Sequence, residues 1–178
     1  MDEPSSSLLH LPSNLLGQHI YSRLHFLDLL RMALTCNELR CSLHEAVQRV
    51  TCLDVSGMTS LQHVPFGLPP QLRTLVCNGT SISALPQPLL NSLIYMDISS
   101  TNIDTRPEPL PTGLTHLNIS LTRIATITQQ PSSLTHLKCI HTPISSLPQQ
   151  LPHTLTFLEI SQTLISALPQ LPDSLTVL

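Results

Sequence analysis

Leu155 to Ser174 reads LTFLEISQTLISALPQLPDS, and the same pattern recurs four times upstream. The copies start at Leu72, Leu93, Leu114 and Leu134, so the steps between first leucines are 21, 21, 20 and 21 residues. Each copy reads L-x-x-[LM]-x-[IC]-x-x-T-x-I and continues into a short polar, proline-rich return, usually containing LP. A sixth start, LTVL, opens at Leu175, and a degenerate copy opens at Val50 with Leu53, Val55, Met58, Leu61 and Val64 in the equivalent places. Self-similarity at a period near 20 predicts a solenoid of stacked units.

The spacing within one unit says how it folds. Leu155, Leu158 and Ile160 are separated by three and then two residues, and Leu158-Glu159-Ile160-Ser161 alternates as a short strand with one buried face. Ile165 and Leu168 continue the apolar set after the chain turns. One unit of 21 residues cannot bury these side chains by itself, but stacked units bury them against one another beside a parallel sheet. Position nine is threonine in all five good copies, Thr80, Thr101, Thr122, Thr142 and Thr163. A buried hydroxyl there must be hydrogen-bonded. Its expected partners are backbone groups freed where the strand bends, arranged as a ladder; the plainer reading is a β-branched residue ending a strand.

The pattern resembles the leucine-rich repeat family, whose usual sequence is LxxLxLxxNxL, over about residues 50 to 178, with Thr where the family mostly has Asn. The returns LPQQLP (147–152) and LPQLP (168–172) resemble those of the short bacterial-type repeats. Proline lacks an amide donor and favours an extended backbone, so the outer side is expected to be extended or irregular rather than helical. The expected fold class is an α/β solenoid of leucine-rich repeats, with a parallel sheet on the concave side and an N-terminal helical cap. The chain stops just after Leu175 opens a repeat; we expect either a fragment, truncated or uncapped at its C-terminus, or an end that associates with another copy.

With 41% hydrophobic residues the chain can build a core, and with 8 Lys plus Arg and a net charge of −3 it lacks the basic surface that nucleic acid requires. No apolar run approaches the roughly 18 residues needed to span a bilayer, so no membrane partner is expected. The N-terminal MDEPSSSLLHLPS is acidic where a signal peptide is basic, which points to an intracellular protein, cytoplasmic or nuclear. The five cysteines are odd in number and share no CxxC spacing, so neither a disulfide framework nor a zinc site is indicated. Cys77 and Cys139 replace the apolar residue of their strands and read as small buried hydrophobes. Asn78-Gly79-Thr80 and Asn118-Ile119-Ser120 match the glycosylation sequon by coincidence, since both lie on repeat strands. There is no GxSxG, HExxH or glycine-rich phosphate loop, and no downstream ligase domain of the kind bacterial effectors carry, so no enzyme activity and no cofactor are expected.

Residues 1 to 49 do not repeat and divide from the repeats 50 to 178 by composition, because no Pro interrupts residues 13 to 64. Ser13 is a candidate N-cap. Leu16, Ile20 and Leu24 make a helical stripe, and further helical patterns run through Leu29, Leu30, Ala33 and Leu34, and through Leu39, Leu43, Val47 and Val50. These helices can cap the solenoid's first turn. The string from Leu11-Pro12 through Leu15, Leu16, Ile20, Tyr21 and Leu24 to Asp28-Leu29-Leu30 and Ala33-Leu34-Thr35-Cys36 also resembles an F-box. It departs from that pattern in having no Trp near Leu39 and His25-Phe26-Leu27 where a proline commonly precedes the Asp-Leu pair. The resemblance implies a substrate adaptor of a cullin-type ubiquitin ligase, with Leu11, Pro12, Ile20, Leu24 and Leu29 contacting a Skp1-type linker. The alternative is a plain repeat module whose helices only cap.

In either case the binding face is expected on the concave sheet. Position three supplies Thr74, Tyr95, His116, His136, Phe157 and Val177; position five Val76, Asp97, Asn118, Lys138 and Glu159; position seven Asn78, Ser99, Ser120, Ile140 and Ser161; position eight adds Leu121 and His141. Tyr95, His116, His136 and Phe157 should form one continuous row, because equivalent side chains in adjacent strands lie about 5 Å apart. With Asp97, Asn118, Lys138 and Glu159 beside it, this row is the candidate partner-binding surface. Its other reading is cross-strand stacking that only stabilises the sheet. His116, His136 and His141 are too loosely spaced to predict a metal site.

Overall fold

A computed structural model describes residues 50–64, 68–128 and 130–178. The segment 1–49, with the helical stripe, the expected cap and the F-box-like string, lies outside the described residues.

Each repeat contributes one three-residue strand at its positions three to five. These are β1 (Cys52–Asp54), β2 (Thr74–Val76), β3 (Tyr95–Asp97), β4 (His116–Asn118), β5 (His136–Lys138) and β6 (Phe157–Glu159). They form one parallel sheet in sequence order, with every strand in the same register against the next: Tyr95 opposite His116, His116 opposite His136, His136 opposite Phe157. Beyond β6, Phe157 bridges to Val177 in the same sense. No helix occurs among the described residues, so the expected α/β class becomes a parallel β-solenoid over this range. The returns are extended or turning segments. Each Pro in them removes a donor that a helix would need.

The repeat begins with a tight turn of the form Pro-x-x-Leu. The amides of Leu72, Leu114, Leu134, Leu155 and Leu175 bond the carbonyls of Pro69, Pro111, Pro131, Pro152 and Pro172 at 3.0–3.1 Å. This three-residue closure is a β-turn, and it delivers the first leucine into the core. Leu72, Leu93, Leu114, Leu134 and Leu155 are fully buried, as are Leu75, Met96, Leu137 and Leu158 at position four. Positions six and eleven complete the core with Cys77, Ile98, Ile119, Cys139, Ile82, Ile103, Ile124 and Ile144. Each such aliphatic side chain stabilises the stack by about 1.5–3 kcal/mol relative to exposure. Cys77 and Cys139 act as the small hydrophobes the sequence implies: burial pushes both thiols up to about 12, with Asp97 and Asp54 adding to the effect at Cys77. Leu168 departs from expectation, being exposed on the return side.

The chain leaves the strand through a left-handed corner at position eight. Gly57, Gly79, Ser100, Leu121, His141 and Gln162 all have φ between 53° and 72°. The corner amides of Gly57, Gly79, Ser100, Leu121 and His141 bond the position-seven carbonyl of the following repeat at 2.7–3.1 Å, extending the ladder past the strand.

Immediately after the corner stands the recurrent threonine. Thr80, Thr101, Thr122, Thr142 and Thr163 donate to the carbonyls of Cys77, Ile98, Ile119, Cys139 and Ile160 at 2.7–2.9 Å. The partners are the backbone groups of the bend, as expected. The expected ladder is not formed, because each bond closes within its own repeat rather than onto the next. Two other sets of hydroxyls do link repeats. The residue before the first leucine donates to the first-leucine carbonyl of the preceding repeat: Ser92 to Leu72, Ser133 to Leu114, Thr154 to Leu134 and Ser174 to Leu155, at 2.7–2.8 Å. Position two makes a second rail, with Thr115, Thr135, Thr156 and Thr176 donating to Ile94, Thr115, Thr135 and Thr156 at 2.9–3.1 Å.

Candidate protein-binding site

The regular register brings the position-three side chains into one file. Tyr95 and His116 have ring centroids 5.7 Å apart at an interplanar angle of 30°. His116 and His136 are closer and flatter, at 4.2 Å and 12°. His136 and Phe157 follow at 5.6 Å and 15°. The four rings therefore stack face to face along the sheet, and Tyr95 is exposed while the other three are half-buried. Aromatic contacts of this kind contribute about 0.5–1.5 kcal/mol each beyond simple burial.

Two threonines fix the imidazoles. Thr115 Oγ1 lies 2.8 Å from His116 Nδ1, and Thr135 Oγ1 lies 2.9 Å from His136 Nδ1. Thr156 and Thr176 hold the same carbonyl bond although Phe157 and Val177 offer no ring nitrogen, so donation to the carbonyl is the hydroxyl's standing role. With its one proton engaged there, the hydroxyl accepts from Nδ1–H, which leaves Nε2 as the acceptor of the neutral ring. Burial, and after it the neighbouring His136, holds His116 below the ordinary histidine value. Burial, then Asp97, raises the Tyr95 phenol above its ordinary value.

The position-five residues do not form the free polar row expected beside the rings. Asp97 is buried: its Oδ1 accepts from the Ser99 amide at 2.9 Å and the Ser99 hydroxyl at 2.6 Å, and its Oδ2 from Asn118 Nδ2 at 3.1 Å. This corrects its assignment as an open contact residue, because both carboxylate oxygens serve the end of the strand. Asn118 does the same in its own repeat, accepting from the Ser120 amide at 3.1 Å. Ser99 and Ser120 are buried as well, a second departure from the solvent-facing position seven. The strands last only three residues, and the bend that follows turns Ser99 and Ser120 inward while Asn78 and Ser161 stay exposed, so the alternation of an extended strand no longer applies. Lys138 and Glu159 remain at the surface, paired at 3.2 Å, and the Lys138 ammonium also stands 5.1 Å from the Phe157 ring centroid.

Thr115 and Thr135, which position the imidazoles, were not among the residues singled out from sequence. The signal for them was the string Leu-Thr-His-Leu, present at 114–117 and again at 134–137. Leu11, Pro12, Ile20, Leu24 and Leu29, the expected scaffold contacts, lie outside the described residues. Among the described residues no three His, Cys, Asp or Glu side chains gather as metal ligands, and no helix is long and apolar enough to cross a membrane.

No family model and no curated protein matches the chain. Solved structures do. YopM, a leucine-rich effector protein from Yersinia pestis, superposes with a TM-score of 0.64 at 24% identity, over 74% of this chain and 42% of that one. YopM from Yersinia enterocolitica WA-314 gives 0.57 at 29% identity, over 74% and 33%. A Shigella effector leucine-rich repeat domain gives 0.56 at 22% identity, over 65% and 53%. The chain thus spans between a third and about half of the length of each of these proteins. Backbone likeness, parallel register and the repeated leucine pattern agree that the described residues adopt the leucine-rich repeat fold.

Proposed function

We propose that this chain is a protein-binding module and that its partner lies along the row Tyr95–His116–His136–Phe157 on the concave side of the solenoid. The observation that carries this reading is the continuous ring stack itself. It is added to the backbone ladders and the two rails of Ser and Thr hydroxyls that already join the repeats. Rigid, partly exposed aromatic rows at the centre of a surface are where binding energy concentrates. Lys138 and Glu159 flank the row as a mutually neutralised pair that orients rather than drives association.

The test separates binding from folding. Tyr95→Ala and Phe157→Ala should each weaken a partner's affinity by about 2 kcal/mol or more, read by calorimetric titration. Each should lower unfolding stability by less than this, about 0.5–1.5 kcal/mol for the lost ring contact. Variants that bind as well as the wild type would make the row a stabilising cross-strand stack, with the binding site elsewhere. The likeness to effector solenoids supports the module over the ligase adaptor, whose F-box-like residues fall in 1–49. Co-purification with a Skp1-type linker decides between them. The module reading expects no complex, whereas a complex abolished by Leu11→Ala with Pro12→Ala, in a chain whose circular dichroism is unchanged, would establish the adaptor.

A further inference from the structure

Two imidazoles stacked at 4.2 Å within 12° of parallel make an unusual centre for a contact surface, because each can carry a charge that the other opposes. Around them stand Tyr95 and Asp97 on β3, Lys138 on β5, and Phe157 and Glu159 on β6. Neither carboxylate touches an imidazole: the Asp97 oxygens are turned to Ser99 and Asn118, and Glu159 is paired with Lys138. The Nδ1 atoms are fixed on Thr115 and Thr135, so the rings cannot separate without breaking those bonds.

We propose that the His116–His136 pair makes the row a proton-controlled contact surface: uncharged and suited to an apolar segment of a protein partner near neutral pH, and converted by acid into a cationic row that releases that segment. The proposal rests on the binding reading for its partner, but its physical core, the coupling of the two rings, belongs to the free protein. The first proton is shared between them, and the second meets a positive charge 4.2 Å away, which lowers its affinity about fivefold even with the full dielectric screening of water. The depressed proton affinity of His116, caused first by burial and then by His136, agrees with this geometry.

The experiment is a histidine titration of the full chain, following the imidazole Cε1–H signals by NMR between pH 8 and pH 4.5. The His116 signal should titrate below the ordinary histidine range. His136→Gln should raise the proton affinity of His116. His141→Gln, at an exposed corner, should leave His116 where it was. A His116 titration that does not respond to loss of His136 would overturn the proposal. A partner that binds the row at pH 7.5 should lose at least tenfold in affinity at pH 5.5, and the His116→Gln/His136→Gln double variant should lose much less. Coupled titration with a pH-independent affinity would overturn the release step alone. A partner that ignores Tyr95→Ala and Phe157→Ala would instead remove the binding reading and leave the coupling intact.

Discussion

Leu121 occupies the left-handed corner at φ 56° with its side chain exposed, whereas Gly57 and Gly79 fill the same place at 72° and 67°. An L-residue there brings Cβ towards the following carbonyl at a cost of about 1–2 kcal/mol. Leu121→Gly should therefore raise stability by up to about 1 kcal/mol, after glycine's greater loss of chain entropy. Gly79→Ala should lower it by a similar amount, although a β-carbon there would find room at 3.7 Å from Gly57. Urea midpoints of the two variants should move in opposite directions. Gly113 offers a second residue-scale prediction. It stands where Ser92, Ser133, Thr154 and Ser174 carry the hydroxyl that joins adjacent repeats. A β-carbon at Gly113 would lie 3.8 Å from the Asn91 carbonyl oxygen and 3.9 Å from that of Leu93, an ordinary contact. Gly113→Ser should complete the rail and stabilise the fold by about 0.5–1.5 kcal/mol, measured by urea unfolding.

At the scale of the element, Thr122 closes the bend of its repeat. It is buried and donates to Ile119 at 2.7 Å just past the corner, whereas Thr163 makes the same bond half-buried near the last strand. Thr122→Val should cost about 1–2 kcal/mol, and Thr163→Val less, because water can reach the freed carbonyl. The repeated unit was legible in the sequence because every copy must solve one packing problem, so Leu72, Leu93, Leu114, Leu134 and Leu155 recur in register. The ring row was equally legible, since position three precedes the corner and obeys strand alternation. Ser99 and Ser120 were not, because alternation was carried past the three residues for which the strand lasts, and Asp97 was not, because alternation does not show its carboxylate folding back onto Ser99. The corner was hidden for a different reason: two glycines signal it, but Leu121 and His141 adopt the same φ under the pull of the inter-repeat ladder. The rails of Ser92, Ser133, Thr154 and Ser174 were written as a hydroxyl before each first leucine, but hydroxyls are frequent in this chain and spacing alone does not say which ones bond.

At the scale of the whole molecule, stability should depend on pH through His116. Its proton affinity is lowered on folding, so the unfolded chain binds the proton more tightly. The contribution is then fully present above the ordinary histidine value and is lost as pH falls from there through the lowered folded value. Thermal unfolding should occur at lower temperature at pH 5.5 than at pH 7.5, and His116→Gln should flatten that slope. Glu108 works in the same direction further into acid. Hydrogen bonds from Thr128 and then Arg106 hold its carboxyl below the usual range, so its stabilising effect persists at neutral pH and fades as that group protonates. Glu108 is largely solvent-exposed, which keeps its share small.

The uniform register of β1 to β6, with each strand touching only its neighbours, makes a repeat an excisable cassette. Removing Leu114 to Ser133 joins Gly113 to Leu134 within a turn that still reads Pro-x-x-Leu, and brings Tyr95 against His136. The shortened chain should retain its β-type circular dichroism, with a stack of three rings in place of four. One imidazole would then sit between a phenol and a phenyl with no twin to oppose its proton. The number of turns, rather than any single side chain, would set both the length of the surface and its response to acid, so a lineage could retune the two together by duplicating or dropping twenty residues.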